Sequence, residues 1–373
     1  MKSGALVLVG ALLTAALDGE EARVVVHEWG TFTSVAAEDG MPVPWRALSQ
    51  PWELPDFVYQ DPDPRLPTDP PRPRGVKPSL RGLVRLETPV VYVYASRATR
   101  LSVQVDFPGG RLTEWYPAAA ARPDRLRWPD LEVRPGEAAV LPVDRSGSHY
   151  YDARVAAAAP LRVETDAGSE TESFLFYRGV GQWSPPVFAR LDRGRLAISS
   201  FDARLARALV FEARDGRTSW RAAELRSGSA RVARPTEGDA EGAREALRRL
   251  IVEGGLYAEE AEAMLRTWDG SWFEEGLRVF YVVPPAIVER VLPLRVSPAP
   301  SELRRVLVGR LEVLTPERER WAAGRLAELP ANGPPEEALL QLGRFAEPLL
   351  RRIGKSSADP QLRSRIDALL AAP

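Results

Sequence analysis

Pro89-Val90-Val91-Tyr92-Val93-Tyr94 is apolar throughout, so both faces of the stretch must be buried. Phe174-Leu175-Phe176-Tyr177 has the same property. Short apolar runs rich in β-branched and aromatic residues suit the central strands of a packed sheet. Around them, from Leu83 to about Arg226, hydrophobicity alternates with a period of two. Strands are expected at Leu83–Ala95, Arg100–Phe107, Arg111–Tyr116, Leu126–Val133, Tyr150–Ala156, Glu172–Arg178, Arg195–Ser200, Ala206–Ala213 and Thr218–Leu225. Gly109-Gly110 and Asp215-Gly216 mark hairpins. Many short strands with close turns imply a sandwich.

The period then changes. Asp239 can cap a helix carrying Ala243, Leu247, Leu250 and Ile251 on one face, ended by Gly254-Gly255. A second helix carries Ala261, Met264, Leu265 and Trp268 and is expected to stop at Gly270. Leu277–Val283, Leu292–Val296 and Val306–Leu314 return to strand. Thr315-Pro316 opens a helical C-terminal stretch, in which Pro348 is expected to kink the stripe Leu342–Ile353 and Asp359-Pro360 starts the last helix. The expected fold class is α+β, mainly an antiparallel β-sandwich with a helical insertion and a C-terminal helical segment.

At 373 residues the chain exceeds what one ordinary core supports. Its patterning divides it into a signal peptide (1–17), a β-sandwich domain (18–235), a mixed α/β extension of the sandwich (236–314) and a helical segment (315–373). Residues 42–79 hold eleven prolines, which forbid helix and central strand. Trp45, Trp52, Leu54, Phe57 and Tyr59 should anchor this extended segment to the surface, leaving its second half mobile.

Lys2 and the apolar run Gly4–Ala16, too short to span a bilayer easily, read as a signal peptide. Small residues at Thr14 and Ala16 suit cleavage before an acidic mature start at Asp18, which implies a periplasmic or secreted protein. No other apolar run is long enough for a membrane span. The net charge of −1 produces no global field for nucleic acid. The absence of cysteine excludes disulfides, thiolate chemistry and lipoprotein acylation. No cofactor-binding signature is present, and none is expected to be bound; Gly179-Val180-Gly181 reads as a turn.

Three stretches could carry chemistry. In Val24–Thr33 (VVVHEWGTFT), alternation puts His27 with Trp29 and Glu28 with Gly30, so the first pair faces away from the second. His27 and His149 are the only histidines, so a metal site or an acid–base pair of imidazoles must use them. Ser148–Arg154 reads as an aromatic strand, or as the element that brings His149 to His27. In Thr267–Gly276, Trp268 and Trp272 with Asp269, Glu274 and Glu275 could cradle a sugar, or the aromatics could plug the junction between sandwich and helices. Glu28 with one of these carboxylates could supply the pair of a glycan hydrolase. Arg178 joins His27, Trp29, His149, Trp268 and Trp272 as a candidate ligand contact.

The segments HEWGTFTSVA (His27–Ala36), LETPVVYVY (Leu86–Tyr94), TEWYP (Thr113–Pro117), FLFYRGVG (Phe174–Gly181), TWDGSWFEEG (Thr267–Gly276) and VGRLEVLTP (Val308–Pro316) carry a resemblance. Together they resemble a family of uncharacterised secreted bacterial proteins with a HEWGTFT motif near the mature N-terminus. The resemblance covers most of the mature chain and implies export, but no activity. Functionally, a non-catalytic binding or interaction module is the first expectation, with a glycan or another exported protein as partner. A carboxylate-pair glycan hydrolase and a metal-binding protein using His27 and His149 are the alternatives.

Overall fold

The computed structural model describes residues 22–47, 54–61, 80–330 and 333–371. The leader, Trp52 and the second half of the proline-rich segment lie outside these residues. The fold is mixed α+β, with several antiparallel sheets and a helical C-terminus.

Nine strands form one large sheet: β1 (Val24–Ala36), β2 (Tyr59–Gln60), β3 (Val84–Ala95), β4 (Gly110–Tyr116), β5 (Leu175–Gly181), β6 (Arg207–Arg214), β7 (Arg217–Glu224), β8 (Gly276–Val282) and β9 (Glu302–Val313). Their spatial order is β7-β6-β8-β9-β1-β3-β5-β4-β2. All neighbours are antiparallel except β1 and β9, which run parallel. The apolar runs noted above lie in interior strands, β3 and β5. Because β8 and β9 are interior too, the stretch read as an extension of the sandwich is integral to its main sheet.

A second sheet, built on Thr99–Asp106, Arg125–Val133 and Leu161–Thr165, packs on one face of the first. Between them lies an apolar core in which Val26, Phe32, Val91, Leu175 and Leu311 meet Val103, Leu126, Trp128 and Leu161. The chain changes sheets at Ser173-Phe174: Gly168–Glu172 ends the second sheet and β5 begins at Leu175. The single strand expected over Glu172–Arg178 is therefore parts of two.

On its other face the large sheet carries helices. α1 (Ala240–Glu253) is capped by Asp239, whose carboxylate accepts from the Gly242 amide. α2 (Ala258–Trp272) does not stop at Gly270 but runs a further half-turn, which buries Trp268 and Trp272 beside Trp29, Phe176 and Phe280. At the opposite end of this face, α4 (Pro316–Glu328), α5 (Pro335–Leu342), α6 (Ala346–Ser356) and α7 (Pro360–Ala371), which follow the short α3 (Pro285–Val291), cover Val35, Trp45, Val180 and Leu314. Pro348 kinks nothing, since it lies in the first turn of α6, where no intrahelical donor is lost.

Two further expectations are corrected. Residues His149–Val155 form a 3-10 helix instead of a strand, capped by Ser148 Oγ, which accepts from the Tyr150 amide. The three-residue period buries Tyr150 and Ala153 together, whereas alternation grouped Tyr151 with Ala153. Gly179-Val180-Gly181 belongs to β5 and is not a turn. A Cβ on Gly179 would lie 3.1 Å from the Phe107 ring, and one on Gly181 2.8 Å, so these glycines admit that ring against the strand.

Candidate functional site: a buried charge belt and the pocket at its end

The helix-covered face of the large sheet is apolar at its two ends and charged between them. Along β1 the inward residues run Trp29, Thr31, Thr33, Val35; along β5 they run Phe176, Arg178, Val180; along β9 they run Val308, Arg310, Glu312. Strand register aligns these interruptions into a row. Glu114 of β4 opposes Arg178, Glu87 of β3 opposes Thr31, Thr33 opposes Arg310, and Glu312 opposes Arg278 of β8. Glu87, Thr31, Thr33, Arg85, Arg278 and Arg310 are wholly buried. Each of the six segments that carry the family resemblance supplies a polar residue to this belt.

A bulge makes room for it. Between β1 and β3 the register slips at Trp29/Thr31, where Thr88 and Pro89 of β3 together oppose Gly30, one residue more than β1 supplies. Thr88 adopts φ 44°, a conformation rarely taken by a β-branched residue. Gly30 lies under Pro89, whose Cα would be 3.1 Å from an added Cβ. The irregularity thus sits on β3, not on β1. Thr88 Oγ1 accepts from Arg178 at 3.3 Å.

The C-terminal helices close the belt from above. Arg344, between α5 and α6, donates to Glu87 and, at 2.8 Å, to Ser271 Oγ of α2. Arg310 donates to the same Ser271 Oγ at 3.1 Å and to Glu274 at 2.8 Å. Arg278 donates to Glu312 at 3.0 Å and to the carbonyls of Trp272 and Glu274. Burial alone would raise the Glu87 carboxyl, but Arg344, Arg85, Arg310 and Arg178 around it hold it at about 2. Burial likewise opposes ionisation of Glu274, and Arg310, Arg278 and Arg344 override it, holding its carboxyl below the ordinary value. The belt is not a closed network: Thr31 Oγ1, Thr33 Oγ1, Glu87 Oε2, Arg310 Nε and Arg344 Nε have no hydrogen-bond partner among the described residues.

At its β8 end the belt meets a surface pocket of about 300 Å³. Gly276 separates the two at φ +136°, and an added Cβ would sit 2.5 Å from Glu312 Oε1 and 2.7 Å from Arg278 Nη2. Only glycine fits between the belt and the pocket wall. Across the opening stand Arg318 and Trp321, one turn apart on α4, the guanidinium 3.7 Å above the indole centroid. Trp321 is 42% exposed, in contrast to the buried Trp29, Trp45, Trp128 and Trp272.

The structure separates most of the residues singled out from the sequence. His27 is buried; its Nδ1 lies 2.8 Å from Glu260, which also accepts from Tyr94 Oη and the Tyr257 amide. His149 is exposed at the start of the 3-10 helix. Among the described residues no group of three or more His, Asp or Glu side chains is placed to hold a metal. Glu28, on the sandwich face, accepts from Tyr177 and, at 2.6 Å, from Arg305. Asp269 is paired with Arg244 at the surface, Glu274 with Arg310, and Glu275 accepts the Asp215 amide at 2.9 Å. Of the four carboxylates considered for hydrolysis, three thus have arginine partners. Trp29, Trp268 and Trp272 are core residues. Of the named residues, Arg178 and Glu274 join the belt and Glu275 lines the pocket.

Arg85, Glu87, Arg310, Arg344, Arg318 and Trp321 were missed. Charges inside otherwise apolar strands, as in Val84–Val93 and Val306–Val313, were the available signal.

No protein-family model and no curated protein matches the sequence. Among solved structures, the Mu homology domain of Danio rerio Fcho1 with bound Eps15 peptide aligns with 79% of this chain and 97% of its own, at 8% identity and a TM-score of 0.30. The yeast delta-COP-I mu-homology domain complexed with a Dsl1 WxWxV peptide aligns with 79% and 98%, at 8% identity and a TM-score of 0.27. Likeness at this level constrains neither the fold nor the ligand.

Proposed function

We propose that this chain is an exported, non-catalytic binding module that takes its ligand at the pocket where the charge belt reaches the surface. The observation that carries the reading is the Arg318–Trp321 pair. It is half-open, it lines a pocket, and Arg318 makes no side-chain hydrogen bond or ion pair with any described residue. Rigid walls on both sides suit recognition, because a preorganised site loses little conformational entropy on binding. Against catalysis stands the condition of the candidate acids. Glu28, Asp269 and Glu274 are each ion-paired with an arginine, and for Glu274 the surrounding Arg310, Arg278 and Arg344 hold the carboxyl below its ordinary value, which ill suits a proton donor. Export rests on the apolar leader.

Two measurements test the proposal. Unfolding midpoints of the purified protein are recorded against soluble oligosaccharides, peptides and divalent metals, since a ligand that binds only the folded state raises the midpoint. Turnover of glycans, esters and peptides is assayed in parallel. A ligand-induced shift without turnover is expected; turnover that disappears on Glu28→Gln or Glu274→Gln would sink the reading. Export is tested by the N-terminal sequence of the protein from the bacterial periplasm, which should begin near Asp18.

A further inference from the structure

We infer that the pocket beside Trp321 is a carbohydrate subsite that accepts a neutral pyranose, an assignment that rests on the binding-module reading. Shape and charge together select the ligand class. The lining carboxylates are Glu212, Asp215, Glu275 and Glu317, and the lining guanidinium groups are Arg214 and Arg318. Glu212 and Glu317 both accept from Arg234, at 3.1 Å from Nε and 3.3 Å from Nη1. Counting Arg234 and Arg320, which reaches Glu317 at 4.0 Å, four cations balance four carboxylates, so no net charge draws a free anion to the site.

Arg318 covers one face of the indole, which leaves the other face for a ligand, and its charge repels a small cation from that face. What remains is a ligand with an apolar face and both donors and acceptors along its edge. A pyranose ring has that form: its axial C–H groups present a flat apolar surface, and its hydroxyls donate to carboxylates and accept from guanidinium. The face of Trp321 that Arg318 leaves uncovered supplies the amphipathic aromatic surface. Arg318 supplies donors in a fixed fork, and Glu275 supplies a carboxylate already oriented by the Asp215 amide.

Local structure holds the pair ready. Thr315 Oγ1 accepts from the Arg318 amide at 3.2 Å and Pro316 occupies the first helical position, which fixes the start of α4. Arg318 and Trp321 then project from one helix face. Thr267–Gly276 read from the sequence either as a sugar cradle or as a plug at the junction; there Trp268 and Trp272 are buried, and only Glu275 and Gly276 at the end of that segment reach the pocket.

The test is calorimetric titration of the purified protein with cellohexaose, chitohexaose, hexagalacturonate and inorganic phosphate. It is repeated with Trp321→Ala, Trp321→Phe, Arg318→Ala and, as an exposed control elsewhere, Phe201→Ala. Saturable binding of a neutral oligosaccharide, weakened about tenfold or more by Trp321→Ala and Arg318→Ala, largely kept in Trp321→Phe and unchanged in Phe201→Ala, is expected. Equal binding by Trp321→Ala would overturn the assignment while the module reading stands. Binding of hexagalacturonate or phosphate alone would overturn the neutral sugar in favour of an anion. Silence with every saccharide, alongside a midpoint shift with a peptide, would overturn the subsite but not the module. Cleavage of the saccharides would bring down the module reading itself.

Discussion

The two faces of the large sheet bury their residues by opposite means. On the sandwich face, Leu311 of β9 is one of many apolar side chains excluded from water between two sheets. On the helix face, its neighbour Arg310 is just as fully buried, yet it is held by Glu274, Glu312 and Ser271. Apolar burial is non-directional and tolerates small errors of geometry. Buried charge is stable only with its partners in place, so the belt commits the sheet, α2 and the C-terminal helices to one mutual arrangement. Position along a strand does not distinguish the two; the surrounding partners do.

The comparison can be broken most forcefully at this one strand. Arg310→Met removes a cation, strands Glu274 and leaves Glu312 with Arg278 alone, with an expected loss of about 3–5 kcal/mol in chemical denaturation. Leu311→Ala leaves a cavity and is expected to lose about 2–5 kcal/mol. The mechanisms separate in double variants: Glu274→Gln should recover part of the loss in Arg310→Met and nothing in Leu311→Ala. Equal behaviour of the two would mean that the belt is energetically an ordinary core.

Acid should attack the belt and spare the sandwich. The Glu87 carboxyl is depressed from 4.5 to about 2 on folding, so in that window the unfolded chain binds more protons than the folded one. Its stabilisation is fully present above about pH 4.5 and is lost as pH falls towards 2, on the order of 3 kcal/mol. In Glu87→Gln this part of the stability–pH slope should vanish, whereas in Leu311→Ala it should persist. An unchanged slope in Glu87→Gln would show that other carboxylates carry the acid sensitivity.

Smaller effects sharpen the picture. Gly30→Ala places a methyl group against Pro89 at the bulge and is expected to cost about 1–3 kcal/mol, visible as a lower unfolding midpoint. Asp269→Asn breaks only the surface pair with Arg244 and should change stability by less than about 1 kcal/mol. A large loss there would contradict the division between buried and exposed charge.

Much of the scaffold was legible because it depends on local periodicity. The apolar run Pro89–Tyr94 and the helical stripe Ala243–Ile251 each state their own burial pattern, and Asp239 and Thr315 cap where short side-chain acceptors should. The errors arose where a local signal admits two structures. Tyr150 and Tyr151 look like strand residues, yet their packing on α2 and beneath Phe57 favours a helical turn. Gly270 resembles a stop signal, but the burial of Trp272 against Phe280 carries the helix past it.

The sequence alone determined the alternation of strands, the helical insertion and C-terminal helices, the absence of thiol chemistry, and the opposite orientation of His27 and Glu28. These follow from period, composition and backbone geometry within a few residues. Tertiary structure alone decided which charges meet. Thr33 faces Arg310 because β1 and β9 run parallel side by side, and Arg344 reaches Glu87 because the C-terminal helices close over the sheet. Periodicity says which side of a strand a residue occupies; only register and packing say what stands opposite it.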